Sequence, residues 1–237
     1  MAYPTWNFEV WLGWAAVPVV LSLVLSVRQI FEQLRNFNEP KLQLYICRIL
    51  LMVPIYSLSA FMSLIFPHSA LIFDTLRDAY EAYVLYIFMQ LLIEYLGGEY
   101  EIGQFLEMRR NLRHPWPLTN TLKSIPMNST FFRRCKQGVM QFVLIKPLIA
   151  VISLFLNNEG VYREGEFDLR YGYIYCSFID NLSVSLSLYC LVLFYMAAED
   201  KLEPFKPFPK FLTIKVILFF SFWQSCALNF LTSTGIL

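Results

Sequence analysis

The stretch Arg77-Asp78-Ala79-Tyr80-Glu81-Ala82-Tyr83, running through Val84-Leu85-Tyr86-Ile87-Phe88-Met89-Gln90 to Glu94-Tyr95-Leu96-Gly97-Gly98-Glu99, decides what kind of chain this is. It is apolar enough to cross a bilayer, yet acids close both ends and Gln90 and Glu94 lie inside it. Ionisable groups in hydrocarbon cost several kcal/mol unless they face protein or water, so each marks either function or an internal ion pair.

The rest of the chain sets that stretch in context. Of 237 residues, 57% are hydrophobic, 17% aromatic and only 16% charged, with a mean hydropathy of +0.49. A soluble domain carries about 25% charge, so the composition is that of a membrane protein. A net charge of +1, from scattered Lys and Arg, leaves no footprint for nucleic acid. Cys47, Cys135, Cys176, Cys190 and Cys226 have neither CxxC nor His-paired spacing, so no disulfide framework, metal site or cofactor is expected. No GxGxxG, P-loop, HExxH or GxSxG motif occurs, the acids are dispersed, and an enzyme is not expected. His68 and His114 stand near segment ends and read as interface residues rather than ligands. The first apolar run, Phe8 to Val27, lacks a basic leader and a small-residue cleavage site, so it is expected to stay as an anchor.

A spanning helix needs about 20 mostly apolar residues. Six stretches qualify: Phe8 to Ile30, Leu44 to Phe66, Ala79 to Gly97, Val139 to Leu156, Tyr173 to Ala197 and Phe211 to Leu231. The expected fold is an all-α, multi-pass transmembrane helix bundle forming a single domain over 1–237. Pro18, Pro54 and Pro147 fall inside spans and are expected to kink them. Arg28, Arg35 and Lys41, then Arg109, Arg110, Arg113, Lys123, Arg133, Arg134 and Lys136, then Lys201, Lys206 and Lys210 fall on one side; Arg77, Arg163 and Arg170 fall on the other. The positive-inside bias places the N-terminus outside and the basic loop 99–134 in the cytosol. That loop reads as a solvated linker near the anionic leaflet or, more sharply, as a cytosolic docking surface. Its Asn128-Ser129-Thr130 matches a glycosylation acceptor on the wrong side of the membrane.

At about 100° per residue, Tyr83, Tyr86, Gln90 and Glu94 share roughly one quarter of the third helix, with Gly97 continuing that side. Such a stripe is expected to face the bundle interior or a water-accessible cavity, and the spacing fits a solute path and a packed polar core equally. Arg48 lies with Met52, Ser59 and Ser63 on the second helix; Ser177, Asn181 and Ser185 share a side of the fifth, with Asp180 adjoining. Lys146, deep in the fourth helix, requires a carboxylate partner or a shifted pKa, and Glu94 and Asp180 are the candidate partners. Gln224 in the middle of the sixth helix needs a partner from another helix.

These residues carry a resemblance. Arg48-Ile49-Leu50, Val53-Pro54-Ile55-Tyr56, Arg77 to Ala82, Glu94 to Glu99, Cys135-Lys136-Gln137, Gln141-Phe142, Lys146-Pro147-Leu148, Asn181 to Leu186, Leu193-Phe194-Tyr195 and Phe220 to Gln224 occur in the order found in the transmembrane protein 184 branch of the organic solute transporter alpha family. The resemblance implies seven helices, of which six are read here before the sequence stops at Leu237, so a truncated or a divergent short form is expected. It implies an outside N-terminus and a plasma, endosomal or vacuolar membrane. The family's alpha subunit moves bile acids, steroid conjugates and related amphipathic anions by facilitated diffusion, working with a small single-pass beta subunit. The consecutive cysteines that relatives often carry in the third loop are missing, since Met127-Asn128-Ser129-Thr130 precedes Arg133-Arg134-Cys135.

The expected function is therefore carriage of a steroid-, bile-acid- or lipid-like anion. Tyr83, Tyr86, Gln90, Glu94, Asn181 and Gln224 would line the path, and Arg48 or Lys146 would meet the solute's charge. Membrane lipids, the solute and either a beta-type subunit or a second copy of the chain are the expected partners. The competing reading is a non-transporting scaffold or trafficking regulator that acts through the basic loop.

Overall fold

The computed structural model describes residues 5–35, 37–109, 111–115, 123–162 and 170–203. Its helices are α1 (Thr5–Arg35), α2 (Pro40–Leu50), α3 (Met52–Ile65), α4 (Ala70–Tyr95), α5 (Glu99–Glu107), α6 (Ser129–Asn158) and α7 (Gly172–Leu202), with a 3₁₀ turn at Pro67–Ser69. The chain is an all-α membrane helix bundle. Among the described residues the one extended feature is an antiparallel bridge between Leu112 and Ile125. The expected span Phe211 to Leu231, with Gln224, lies outside the described residues.

Among the described residues four stretches are long and apolar enough to cross a membrane: Leu12–Arg35, Pro40–Ile65, Ser129–Asn158 and Gly172–Leu202. The α4 helix has 26 residues. At 1.5 Å per residue it is about 39 Å long, sufficient to cross the roughly 30 Å hydrocarbon core. Its charge load, Asp74, Arg77, Asp78, Glu81 and Glu94, is tolerated because α2, α3, α6 and α7 pack around it. Between Ala82 and Ile93 every residue of α4 is buried except Tyr83, Tyr86 and Gln90. A helix apolar on nearly all sides belongs at the centre of a bundle.

Two sequence expectations change here. The third span begins nine residues earlier than Ala79, which brings Asp74, Arg77 and Asp78 inside the helix rather than at its outer edge. The polar stripe is not the packed polar core that its spacing equally allowed: Tyr83, Tyr86, Gln90 and Glu94 are the half-exposed side of this part of α4, and the apolar sides are the buried ones.

Helix ends follow local chemistry. The amide of Gly98 donates to the Ile93 carbonyl at 3.0 Å and that of Gly97 to Glu94 at 3.1 Å, closing α4 in a Schellman motif. Both glycines have positive φ, 89° and 97°, a region that costs other residues about 1–2 kcal/mol. The chain then turns directly into α5, which buries Ile102 and Leu106. Pro54 acts as expected, because it cannot donate to Leu50 and the second span is interrupted at Leu51. Helices α1 and α6 continue through Pro18 and Pro147 without interruption. Asn128 caps α6, its side chain accepting from the Phe131 amide at 2.8 Å.

The stretch 99–134 is only partly a loop, since it includes α5 and the first turn of α6. Leu112 and His114 within it are buried. The His114 imidazole stacks on Tyr189 of α7, meets its hydroxyl through Nδ1, and donates from Nε2 to the Lys123 carbonyl at 3.0 Å. The solvated-linker expectation therefore fails for this part of the loop, which docks on α7.

Helices α6 and α7 pack closely. A Cβ placed on Gly138 would lie 2.3 Å from the Cys190 sulfur and 3.1 Å from its Cβ. Close approach at small residues is the usual basis of helix association in lipid. One turn away, Gln141 donates to the Ser183 carbonyl at 2.8 Å and accepts from the Ser183 hydroxyl at 2.8 Å. Gly138→Leu is expected to destabilise the fold by about 1–3 kcal/mol through overpacking. Thermal unfolding in detergent should show a lowered midpoint that Gly138→Leu/Cys190→Ala partly restores.

Candidate functional site

The first three turns of α4 place Asp74, Arg77, Asp78 and Glu81 on one face, because i, i+3 and i+4 positions overlie one another. At about 100° per residue that face lies half a turn from the Tyr83–Glu94 stripe. Arg77 donates to Asp74 at 2.8 Å and, through Nη2 and Nε, to Asp78 Oδ1 at 3.0 and 3.1 Å. Its guanidinium carbon stands 5.6 Å from the Tyr56 ring of α3, and the Tyr56 hydroxyl donates to Glu81.

From α6, Lys146 Nζ reaches Asp78 Oδ2 at 3.1 Å and Asp180 Oδ2 of α7 at 2.6 Å. Only 15% of the Lys146 side chain is exposed, so its charge depends on these two carboxylates. Asp74, Arg77, Asp78, Lys146 and Asp180 thus form a line of alternating sign that ties α4, α6 and α7 together. The line borders a cavity of about 250 Å³ whose other walls include Leu71, Ile149, Ala150, Tyr162, Tyr173 and Asn181. The rings of Tyr162 and Tyr173 meet edge to face with centroids 5.8 Å apart.

The candidate residues separate into groups. Lys146 and Asn181 both line the cavity, and Asn181 also donates to the Ser177 carbonyl at 2.8 Å. Tyr83, Tyr86, Gln90 and Glu94 lie on the opposite face of α4. Glu94 is about 24 Å along the helix from Asp78 and pairs with Lys41 of α2 at 3.6 Å. The expectation that either Glu94 or Asp180 partners Lys146 is therefore corrected: Asp180 and Asp78 do. Arg48 is exposed on α2, and its carbonyl accepts from the Tyr80 hydroxyl at 2.6 Å. Gln224 lies outside the described residues.

Sequence reasoning missed Asp74, Asp78 and Glu81 as site residues and Tyr162 and Tyr173 as cavity walls. The i, i+3, i+4 spacing of Asp74, Arg77 and Asp78 was the available signal. It marks charges that neutralise one another and so can sit inside a span. The opposite end of the bundle is held by separate ion pairs, Lys136 with Glu99 and Arg109 with Asp200. Arg109 and Lys201 both stand 4.6 Å from the Phe105 ring, a cation–π arrangement that fastens α5 to α7.

A multi-pass helix bundle that holds ion pairs around a cavity is a membrane protein with a candidate functional site inside it. The comparisons agree: the family model described as organic solute transporter Ostalpha matches residues 11–237. The chain is 36% identical to "Protein LAZ1 homolog 1" of Arabidopsis thaliana over 238 residues, 94% of this chain and 49% of that protein. It is 39% identical to a transmembrane protein 184 homolog of Dictyostelium discoideum over 212 residues, 89% of this chain and 42% of that protein. No solved structure matches. The chain belongs to the organic solute transporter alpha family. It spans about half the length of these curated relatives.

Removing one partner of a buried ion pair costs about 3–5 kcal/mol because the other charge is left uncompensated. Lys146→Met is accordingly expected to cut the yield of monodisperse protein strongly, and Lys146→Met/Asp180→Asn to recover part of it. Pairing Lys146→Met with Glu94→Gln should recover none, as fluorescence-detected size exclusion would report.

Proposed function

We propose that this chain carries amphipathic organic solutes of the steroid-, bile-acid- or lipid-like anion class across a membrane, with Lys146 meeting the anionic head. One observation carries the reading: a buried lysine, tied to two carboxylates on different helices, borders a cavity. An anion entering there competes with Asp78 and Asp180 for the same ammonium, so binding loosens the tie between α4, α6 and α7. A ligand that replaces contacts between moving elements is how binding shifts a conformational equilibrium.

The cavity size limits what it receives. About 250 Å³ is below the roughly 300–1,000 Å³ of pockets that enclose drug-sized ligands. It suits a charged head group, with Asn181 as a hydrogen-bonding neighbour and the Tyr162–Tyr173 pair against the first apolar atoms. The flat apolar body would then lie against the bilayer side of the bundle. Membership in the family supports the transporter class, and the carrier's place in a plasma, endosomal or vacuolar membrane and its pairing with a small single-pass subunit or a second copy belong to the same proposal. The scaffold reading has less support, since Arg109, one of the basic loop's cations, is engaged by Asp200 and the Ala197 carbonyl.

The test is flux of radiolabelled estrone sulfate into vesicles containing the purified chain. Lys146→Gln is expected to lower the initial rate at least about tenfold, a loss of about 1.4 kcal/mol of transition-state stabilisation. Gln90→Leu, on the far face of α4, should stay within about twofold of the unaltered chain. Absence of saturable flux of steroid sulfates, bile salts and lysolipids, with or without a small single-pass partner, ends this reading.

A further inference from the structure

The charged line bordering the cavity does not balance. Asp74, Asp78 and Asp180 supply three negative charges against the two positive charges of Arg77 and Lys146, and Glu81, held by Tyr56, adds a fourth acid on the same face. The surplus falls on the last member. Asp180 Oδ2 accepts from Lys146, while its Oδ1 is buried and, among the described residues, has no hydrogen-bond partner. A buried polar oxygen without a partner costs about 1–3 kcal/mol, and more when it belongs to an ion.

The three carboxylates are not equivalent. Asp78 is held twice, by Arg77 through Oδ1 and by Lys146 through Oδ2. Asp74 is held by Arg77. Among the described residues Asp180 has Lys146 as its cation and no second one. If Lys146 turns to an incoming anion, Asp78 keeps a partner and Asp180 keeps none. The groups that face Asp180 are Lys146 from α6 and Asp78 and Glu81 from α4, with the Tyr56 hydroxyl of α3 behind Glu81.

We infer that Asp180 is a proton-binding site linked to Lys146, so that an anionic head group held at Lys146 favours a proton on Asp180. The coupling rests on the carrier reading above; the proton site itself does not. The steps balance. The anion's oxygen replaces Asp180 Oδ2 at the Lys146 ammonium, and the released carboxylate takes a proton from water at the cavity, becoming a neutral carboxyl. One negative and one positive charge enter together, so the net charge of the cavity is unchanged. The uncharged carboxyl can stay in low dielectric where a lone carboxylate cannot. On release of the solute, Lys146 returns to Asp180 and the proton leaves.

Infrared difference spectroscopy of the full chain in phosphatidylcholine bilayers tests this directly. On passing from alkaline to acidic buffer, and again on adding estrone sulfate at constant pH, the carbonyl stretch of a protonated carboxyl should grow in. Other acids protonate as well, so the Asp180 band is the part lost in Asp180→Asn, kept in Asp74→Asn, and shifted to the glutamic acid position in Asp180→Glu, which retains the carboxyl if the amide variant fails to fold. No such band in the unaltered chain, or an unshifted band in Asp180→Glu, overturns the inference. A band that responds to acid but not to estrone sulfate upholds the proton site and overturns its coupling. Flux of estrone sulfate without that response does the same while leaving the carrier reading intact; a sound acid response with no flux removes the carrier reading alone.

Discussion

A lysine in the interior of a membrane protein has to be answered by a carboxylate, and that requirement organises this bundle. Lys146 reaches Asp78 on α4 and Asp180 on α7 at once. Three helices that are mostly apolar, and have little hydrophobic reason to prefer one another inside lipid, are thereby given a register. Packing refines it: Gly138 admits Cys190, Gln141 and Ser183 exchange hydrogen bonds, and Phe132 meets Phe194 with ring centroids 5.7 Å apart. The ion pairs set which faces meet, and the small residues set how closely.

The two ends of α4 divide the work. At its beginning, the charged face is closed on itself through Arg77 and Lys146 and borders the cavity. At its end, two glycines at positive φ turn the chain into α5, and Arg109, Lys136 and Lys201 are bound to an acid or an aromatic ring. In the proposed carrier the first end is where a competing anion exchanges partners.

Much of the architecture was legible in the sequence. Composition declared a membrane protein, the apolar runs matched α1, the α2–α3 pair, α6 and α7, and Pro54 marked the break in the second span. The boundary of α4 was not legible from hydropathy, because a charge looks the same whether it ends a span or is neutralised within one. Lys146 was recognised as needing an acid, and Asp180 was among the candidates. The other partner, Asp78, was read as lying outside the helix and so was never considered. Glu94 was a reasonable candidate by type and failed by distance, since the helix rise carries it far from Lys146.

By itself, the sequence determined the class of protein, most of the apolar spans in the described region, the family, and the need to pair a buried lysine. Those follow from transfer energies and chain periodicity, which are local properties of the residues. Only the tertiary structure decided that the Tyr83–Glu94 stripe is the half-exposed side of its part of α4 and that the charged face bordering the cavity is the opposite one. The reason is geometric: a helical wheel tells which residues share a side, but which side is buried depends on where α2, α3, α6 and α7 stand around it. The stretch from Arg77 to Glu99 contains both faces, and the placement of its neighbours chose between them.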